Sequence, residues 1–203
     1  MFTGSLSRAS KSTPPAERPN APVAASISSV GLFVPFVHLV KFSVDHGHDE
    51  SISVLLISLI GVGSMSGRLT LGGVADRFGR HRAIIAMFLG MAMMHAWWYI
   101  SVSFWALAVY AVLFGLFYGG FVALAPALMA DYFGARNVGG ILGVQYSGVA
   151  LGTLVGPVAA GFAFDLTGAY DMPIAVSAAT SFLAVAVILA LRSPAQWRRD
   201  QES

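Results

Sequence analysis

The sequence predicts an all-α, polytopic membrane protein with six transmembrane helices. The first observation is composition, because 56% of the 203 residues are hydrophobic and only 11% are charged, whereas a soluble domain carries about 25% charged residues. The second is that the apolar residues form runs of about 20, the length that an α-helix needs to cross a bilayer. The third is that nearly all charged residues lie between these runs or near the termini.

The apolar runs define six spans, which set the domain organisation. The spans are expected at Val23–Lys41, Ser51–Ala75, Ala83–Val102, Phe104–Ala130, Gly140–Phe164 and Ile174–Leu191. Residues 1–22 are rich in Ser and Pro and contain no apolar core of signal-peptide length, so they are predicted to be a disordered tail. Residues 23–191 then form the transmembrane bundle, and residues 192–203 form a second tail.

Each span has a distinguishing feature. Pro35 is predicted to interrupt the first, and Arg68 lies inside the second. The third ends with His95 before Trp97-Trp98-Tyr99, which is typical of an outer aromatic belt. Pro126 and Pro157 are predicted to interrupt the fourth and fifth, because proline lacks the amide donor of a helix interior. Small residues in these two spans allow close helix approach in lipid: Gly115, Gly119, Gly120, Gly143, Gly148, Gly152, Gly156 and Gly161. Each proline alone is equally compatible with a harmless kink, whereas together with the glycines they favour helices that move. The sixth span precedes a basic tail.

The basic residues indicate the orientation of the bundle. Ten of the 12 Lys and Arg residues fall on one side of the predicted membrane: Arg8, Lys11, Arg18, Arg77, Arg80, Arg82, Arg136, Arg192, Arg198 and Arg199. The opposite loops hold Asp45, Asp49, Glu50, Asp165 and Asp171. Because Lys and Arg concentrate in cytoplasmic loops, both termini and the turn between the second and third spans are expected in the cytoplasm. The expected location is the plasma membrane.

The most informative segment is residues 72–82, Gly-Gly-Val-Ala-Asp-Arg-Phe-Gly-Arg-His-Arg, between the second and third spans. A charged turn so placed must join two membrane helices on one side. It resembles the signature loop of the major facilitator superfamily of secondary transporters, G-x-L-x-D-R-x-G-R-(K/R). The matching residues are Gly72, Asp76, Arg77, Gly79 and Arg80, while Val74 replaces Leu and His81 replaces the final base. The resemblance implies a gating loop that closes against a helix end of the other half and favours the outward-open state. The alternative is a charged anchor for this hairpin.

Further stretches are similar to the carboxyl-terminal half of monocarboxylate-transporter-like members of that superfamily. These are Val34–Val40, Ser58–Gly61, Gly67–Leu69 and the region from Gly156 to Tyr170. The resemblance covers residues 27–192 and implies one six-helix half of a twelve-span fold, with substrate between the halves. Alternating access needs two bundles around a central site. A second six-helix bundle is therefore expected as a partner, supplied by a homodimer, a separately encoded first half or a longer original chain.

Arg68 is the principal candidate for substrate binding. An arginine at membrane depth costs at least about 2.5–3.5 kcal/mol on insertion scales and normally faces a cavity or a partner. The alternative is that its long side chain reaches the cytoplasmic headgroups. By resemblance, arginine at this position holds the substrate carboxylate, and the planar guanidinium suits two carboxylate oxygens. Animal members place an acid one turn earlier, where this chain has Ser64, so proton relay by that route is not implied.

Other polar residues in the spans supply secondary candidates. Tyr118, Gln145 and Tyr146 lie on the glycine-rich fourth and fifth spans and are candidates to line a substrate pocket, the alternative being packing between helices. Because no Asp or Glu lies within a predicted span, a coupled proton in this half requires His38 or His95 as carrier. His38 is within one turn of Lys41, so an interfacial histidine bonded to backbone is the favoured interpretation.

Several functional classes are not predicted. The chain has no cysteine, which excludes disulfides and thiolate metal sites. The loop Asp45–Glu50 has metal-ligand residue types, but consecutive ligands on a short loop fix no geometry, so a hydrated acidic loop is expected and no metal site. No phosphate loop or nucleophile elbow is found, and topology accounts for the basic clusters. We therefore predict no enzyme, no cofactor and no nucleic-acid partner.

The sequence thus predicts half of a secondary active transporter for small carboxylates, acting as a proton symporter within a lipid bilayer. The alternative, from another class, is a truncated or non-transporting membrane protein with an interaction or regulatory role.

Overall fold

A computed structural model describes residues 21–133 and 138–190 of the chain. Within these residues the elements are all α-helical: α1 Ala21–Leu32, α2 Val34–Asp45, α3 Glu50–Ser53, α4 Leu55–Phe78, α5 Arg80–Ile100, α6 Phe104–Phe133, α7 Val138–Thr167 and α8 Asp171–Leu189. They supply six helical segments long and apolar enough to cross a membrane. The prediction of six spans and an all-α fold is confirmed. The predicted tails, apart from residues 21 and 22, lie outside the described residues, as does Arg136.

Proline affects the spans differently. Pro35 is the second residue of α2, and the first span is divided there because proline cannot donate the backbone hydrogen bond that would continue α1. Pro126 and Pro157, in contrast, lie inside the continuous helices α6 and α7, so the prediction that they interrupt these spans is wrong. Each removes one backbone bond, which neighbouring helices of a membrane bundle tolerate.

Glycine allows the most extensive helix contact among the described residues, between α4 and α6. A Cβ atom added at Gly67 would lie 2.0 Å from the Leu116 carbonyl oxygen, and one at Gly119 would lie 2.0 Å from the Ser64 carbonyl oxygen. Gly63 and Gly115 meet the opposite backbone in the same way, at 2.1 and 2.2 Å. The two helices therefore pack backbone against backbone, which a larger residue on either side would prevent.

A second close contact joins α1 to α7. A Cβ atom at Gly156 would lie 1.8 Å from the Val30 carbonyl oxygen, and one at Gly152 would lie 2.0 Å from the Ser29 hydroxyl. The most extensive contacts run in the order α4–α6–α5–α8–α1–α7, and α2 touches both α4 and α7. In the spans that contain α4 and α7, only 33% and 17% of the residues in the most apolar stretch are buried, the lowest fractions among the six spans. One side of the bundle is thus left open between these two helices.

The core contains His95, contrary to the prediction that it belongs to an outer aromatic belt. Its side chain is completely buried, and its Nδ1 lies 3.0 Å from the Met91 carbonyl oxygen and 3.2 Å from the Ser181 hydroxyl. It packs with Phe114, at a ring-centroid distance of 5.3 Å. The neighbouring Trp97 and Tyr99 are exposed. Trp97 is two residues from His95 and therefore lies on the opposite side of α5. Tyr99 lies in the last turn of that helix, next to its end at Ile100.

Candidate functional site

Arg68 lies in α4 on the same helical turn as the glycine that packs against α6. Its side chain is exposed on the isolated bundle, whereas Ser64, one turn earlier, is buried at 8% exposure. Gly67 holds α4 against the backbone of α6. The guanidinium is therefore positioned by a rigid helix pair rather than by a loop.

Tyr118, on α6, connects Arg68 to the rest of the site. It is half-buried, and both the Arg68 guanidinium and the Tyr146 hydroxyl lie within electrostatic range of its hydroxyl. Its ring packs edge-on against Phe33 and Phe36, with centroid distances of 6.1 and 5.4 Å. These contacts fix the ring at the junction of α1, α2, α4 and α6.

Tyr118, Gln145 and Tyr146 line one small cleft, although the sequence separates Tyr118 from the other two. The cleft lies between α1, α6 and α7, and its remaining lining is mainly apolar: Leu32, Phe33, Phe121, Val122, Ala125 and Val149. Gln145 is 2% exposed, and its Oε1 has no hydrogen-bond partner among the described residues. The structure thus brings three of the four predicted binding residues to one cleft. Arg68 is not among the lining residues of that cleft and lies within electrostatic range of Tyr118.

The predicted gating loop is mostly helix. Residues 72–78 complete α4, and α5 starts at Arg80, so Gly79 is the one non-helical residue between them. Gly79 has a φ of +94°, in a region that residues with a Cβ atom rarely occupy. The predicted ends of these spans, at Ala75 and Ala83, are wrong because this glycine reverses the chain in a single residue.

Arg80 joins two carboxylates at the same end of the bundle. Its guanidinium lies 3.5 Å from Asp76 and 3.2 Å from both carboxylate oxygens of Asp131, at the end of α6. Arg77 is exposed, and a Cβ atom at Gly72 would meet nothing within 4 Å. The matched motif residues therefore divide into an ion-paired group, Asp76 and Arg80, and a group that faces outward.

The sequence motifs did not identify Asp131 and Tyr132 as candidate site residues. The Tyr132 hydroxyl lies 3.1 Å from His81 Nδ1, beside the Arg80–Asp131 pair. The sequence carries a signal for this position, because Ala-Asp-Arg-Phe-Gly at residues 75–79 is nearly repeated as Ala-Asp-Tyr-Phe-Gly at residues 130–134. The repeat marks two helix ends, and the structure brings them together.

His38 lies at the other end of the bundle. Its Nε2 is 2.9 Å from the Pro157 carbonyl oxygen, and its ring is half-buried against Tyr170. A backbone-bonded histidine of this kind is the interpretation favoured from the sequence. Burial, followed by the nearby Asp45 and Asp165 charges, raises the pKa of Tyr170 to about 12. The tyrosine beside His38 thus keeps its proton throughout the physiological pH range.

The loop Asp45–Glu50 uses its side chains locally. Asp45 pairs with Lys41, and Asp49 accepts hydrogen bonds from the amide and hydroxyl of Ser51. His46 and His48 hydrogen-bond to the backbone carbonyls of Phe42 and Val102 at 2.8 Å. Among the described residues no group of three His, Cys, Asp or Glu side chains is arranged to hold a metal ion.

The sequence matches the family model described as Major Facilitator Superfamily over residues 23–203. Monocarboxylate transporter 12-B of Danio rerio is 34% identical over 144 residues, which cover 69% of this chain and 30% of that protein. The aspyridones efflux protein apdF of Emericella nidulans is 28% identical over 130 residues, covering 64% of this chain and 27% of that protein. The chain thus spans about a third or less of the length of these curated relatives.

The fold is similar to that of solved transporters. The crystal structure of an auto-inhibited POT family peptide transporter superimposes with a TM-score of 0.77 at 18% identity, covering 86% of this chain and 37% of that chain. At this identity the likeness establishes the fold, which is one six-helix half of the larger structure.

Proposed function

Since the chain belongs to the Major Facilitator Superfamily, we propose that it forms the second half of a secondary active transporter for small carboxylates. The observation that carries this proposal is the arginine at membrane depth, Arg68, beside the cleft lined by Tyr118, Gln145 and Tyr146. A relative is named a monocarboxylate transporter, which supports the same substrate class.

In this proposal Arg68 binds the substrate carboxylate. Guanidinium presents planar donors that match two carboxylate oxygens, and its charge does not depend on pH. Because α4 is held against α6 by Gly67 and Gly119, the charge keeps its position while substrate enters. Tyr118 and Tyr146 add hydroxyl groups near the bound anion.

The transport cycle requires a second six-helix bundle. One bundle leaves α4 and α7 exposed, and Arg68 with them, so it cannot shield a substrate from solvent on both sides. A second bundle, from another copy, a separate chain or a longer form of this chain, would cover this face. Lipid surrounds the remaining helices. The residues Gly72, Asp76, Arg77, Gly79 and Arg80 then act as a gate at the half-to-half interface.

Proton coupling is proposed to involve His38. A histidine can exchange a proton near neutral pH. The Nε2 of His38 contacts the carbonyl oxygen of Pro157 in α7, one of the two helices that flank the open face. Symport follows if protonation and carboxylate binding favour the same state. We place the protein in the plasma membrane with both tails, residues 1–22 and 192–203, in the cytoplasm, because Lys and Arg concentrate on that side.

The test is uptake of labelled pyruvate by cells that express the chain, compared with Arg68→Ala and Arg68→Lys variants at equal surface abundance. We expect Arg68→Ala to abolish uptake and Arg68→Lys to reduce it at least about tenfold, since lysine lacks the planar donor pair. Arg82→Lys, a change at an exposed arginine outside the cleft, is the matched control and should leave uptake unchanged.

Saturable pyruvate uptake that is equal in the wild type and Arg68→Ala would overturn the proposed role of Arg68. If no labelled carboxylate enters above the level of untransfected cells, whether the chain is expressed alone or together with a second six-helix half, the second candidate is favoured, a membrane protein with an interaction or regulatory role. The name of the efflux relative makes outward transport of a larger compound the natural next measurement.

A further inference from the structure

Gln145 is a buried amide with unused hydrogen-bonding capacity. It is 2% exposed in α7, and its Oε1 has no partner among residues 21–133 and 138–190. A buried polar atom of this kind carries a free-energy penalty that a donor would remove. Because the nearby tyrosine hydroxyls of the cleft do not bond to it, the missing donor must come from outside the described side chains.

The cleft around Gln145 has the character of a ligand site. Phe33, Phe121 and Val149 form apolar walls, while Tyr118 and Tyr146 bring hydroxyl groups to the same space. Apolar walls with a few converging polar groups are typical of small-molecule sites. The cleft measures about 50 Å³ in the isolated bundle, so it takes a single polar group of a ligand and not the whole molecule. The Arg68 guanidinium lies within electrostatic range of Tyr118, which lines this cleft, so a ligand that reaches both Arg68 and Gln145 extends past Tyr118.

Arg68 and Gln145 require opposite hydrogen-bonding groups from a ligand. The Arg68 guanidinium has donors and no acceptor, whereas the Gln145 Oε1 is an acceptor only. A ligand that satisfies both must present a carboxylate to Arg68 and an O–H or N–H group to Gln145. We propose that Gln145 is a specificity-determining residue that accepts a hydrogen bond from a donor group on the carboxylate substrate. This inference rests on the proposed function.

The experiment compares two acids that differ by one hydroxyl, 3-phenyllactate and 3-phenylpropionate. Binding to the full chain in lipid nanodiscs is measured by isothermal titration calorimetry. The hydroxy acid should bind about tenfold more tightly, because only it supplies the donor for the buried oxygen. Gln145→Met keeps the side-chain length without the amide and should bring the two affinities within about twofold of each other.

Two further variants separate this effect from general damage to the fold. Arg68→Lys should weaken both acids by a similar factor, because both present a carboxylate. Ser28→Ala removes another buried, unpartnered polar atom, which is 2% exposed and does not line the cleft. It should leave the ratio of the two affinities as in the wild type.

The outcomes distinguish the inference from the function on which it rests. Equal affinities in the wild type, or a preference that survives Gln145→Met, would overturn the role of Gln145 and leave carboxylate binding intact. Binding of neither acid would overturn both. A preference for the hydroxy acid that Gln145→Met removes and Ser28→Ala retains would establish it.

Discussion

Arg80 shows how one side chain organises the predicted cytoplasmic end of the bundle. It reaches Asp76 within its own hairpin and Asp131 at the end of α6. The Arg80 and Asp131 side chains are 39% and 34% exposed, and ion pairs with this exposure contribute at most about 1 kcal/mol to stability. The arrangement therefore orients the guanidinium and ties α5 to α6, more than it stabilises the fold.

Asp49 supports a prediction about pH at the opposite end. Hydrogen bonds from the Ser51 hydroxyl and amide hold its pKa below the ordinary value of 3.8. A depressed folded pKa means that the stabilisation is complete above the unfolded pKa and is lost as pH falls through the folded one. We expect Asp49→Ala to lower the Tm in detergent at about pH 6, and this difference to shrink below about pH 3.8.

Asp49→Asn is the matched control for that measurement. Asparagine caps a helix about as well as aspartate but does not titrate. Its Tm relative to Asp49→Ala should therefore be nearly independent of pH. A wild-type advantage over Asp49→Ala that stays constant down to about pH 2.5 would show that the Asp49 carboxylate has no lowered pKa in the folded protein.

At the scale of single residues, the sequence identifies the side chains that can form ion pairs or hydrogen bonds better than it identifies their partners. Asp76 and Arg80 are four residues apart on either side of the turn at Gly79, so their short separation along the chain predicts their proximity. Arg80 and Asp131 are 51 residues apart, and no local rule joins them. Gln145 was a candidate by its residue type, but its burial and its unpaired oxygen depend on how α7 meets α1 and α6. Such properties arise from tertiary packing and are absent from local sequence.

Among the elements, α4 and α6 form a pair whose packing is sensitive to side-chain size over several turns. Carbonyl oxygens lie 2.0 to 2.2 Å from the positions that Cβ atoms would occupy at four glycines along this contact. In lipid, helix association depends on such close van der Waals packing, because apolar burial gives little driving force. The geometry of Arg68 and Tyr118 depends on the same contact.

We therefore predict that Gly67→Ala and Gly61→Ala, two substitutions on the same helix, have different effects on the free energy of unfolding. At Gly67 the methyl group would meet the Leu116 carbonyl oxygen, whereas at Gly61 it would meet nothing within 4 Å. Gly67→Ala should reduce the free energy of unfolding by about 1–3 kcal/mol through forced separation of the helices. Gly61→Ala should leave it unchanged or raise it by up to about 1 kcal/mol.

The free energy of unfolding is measured by reversible denaturation in mixed micelles. If both variants unfold with the same free energy, the α4–α6 contact is looser than described.

For the elements, the apolar runs predicted every span, because length and hydropathy are local properties. The ends were predicted less well. Gly79 carries the reversal that joins α4 to α5, and continuous helices through Pro126 and Pro157 depend on neighbours that the sequence does not identify.

For the whole molecule, the decisive feature is the face between α4 and α7. These two helices expose large apolar side chains, including Met65 at 67% exposure on α4 and Leu154 and Val158 at 66% each on α7. Lipid accommodates apolar groups, but Arg68 on α4 is also exposed in the isolated bundle. An unpaired guanidinium facing hydrocarbon is unfavourable. A protein partner that lines a wet cavity removes this conflict, which is why we place the second six-helix bundle here.

This assignment predicts the products of photo-crosslinking in native membranes. With benzoylphenylalanine in place of Leu154, on α7, irradiation should yield a protein adduct, of twice the chain mass if the partner is a second copy. The matched control is Met93, which is 55% exposed on α5. Because α5 packs between α6 and α8, away from the open face, adducts at this position should form with lipid. Lipid adducts at both positions would contradict the second bundle. Protein adducts confined to Leu154 would locate the interface on the face that bears Arg68, as a central binding site between two halves requires.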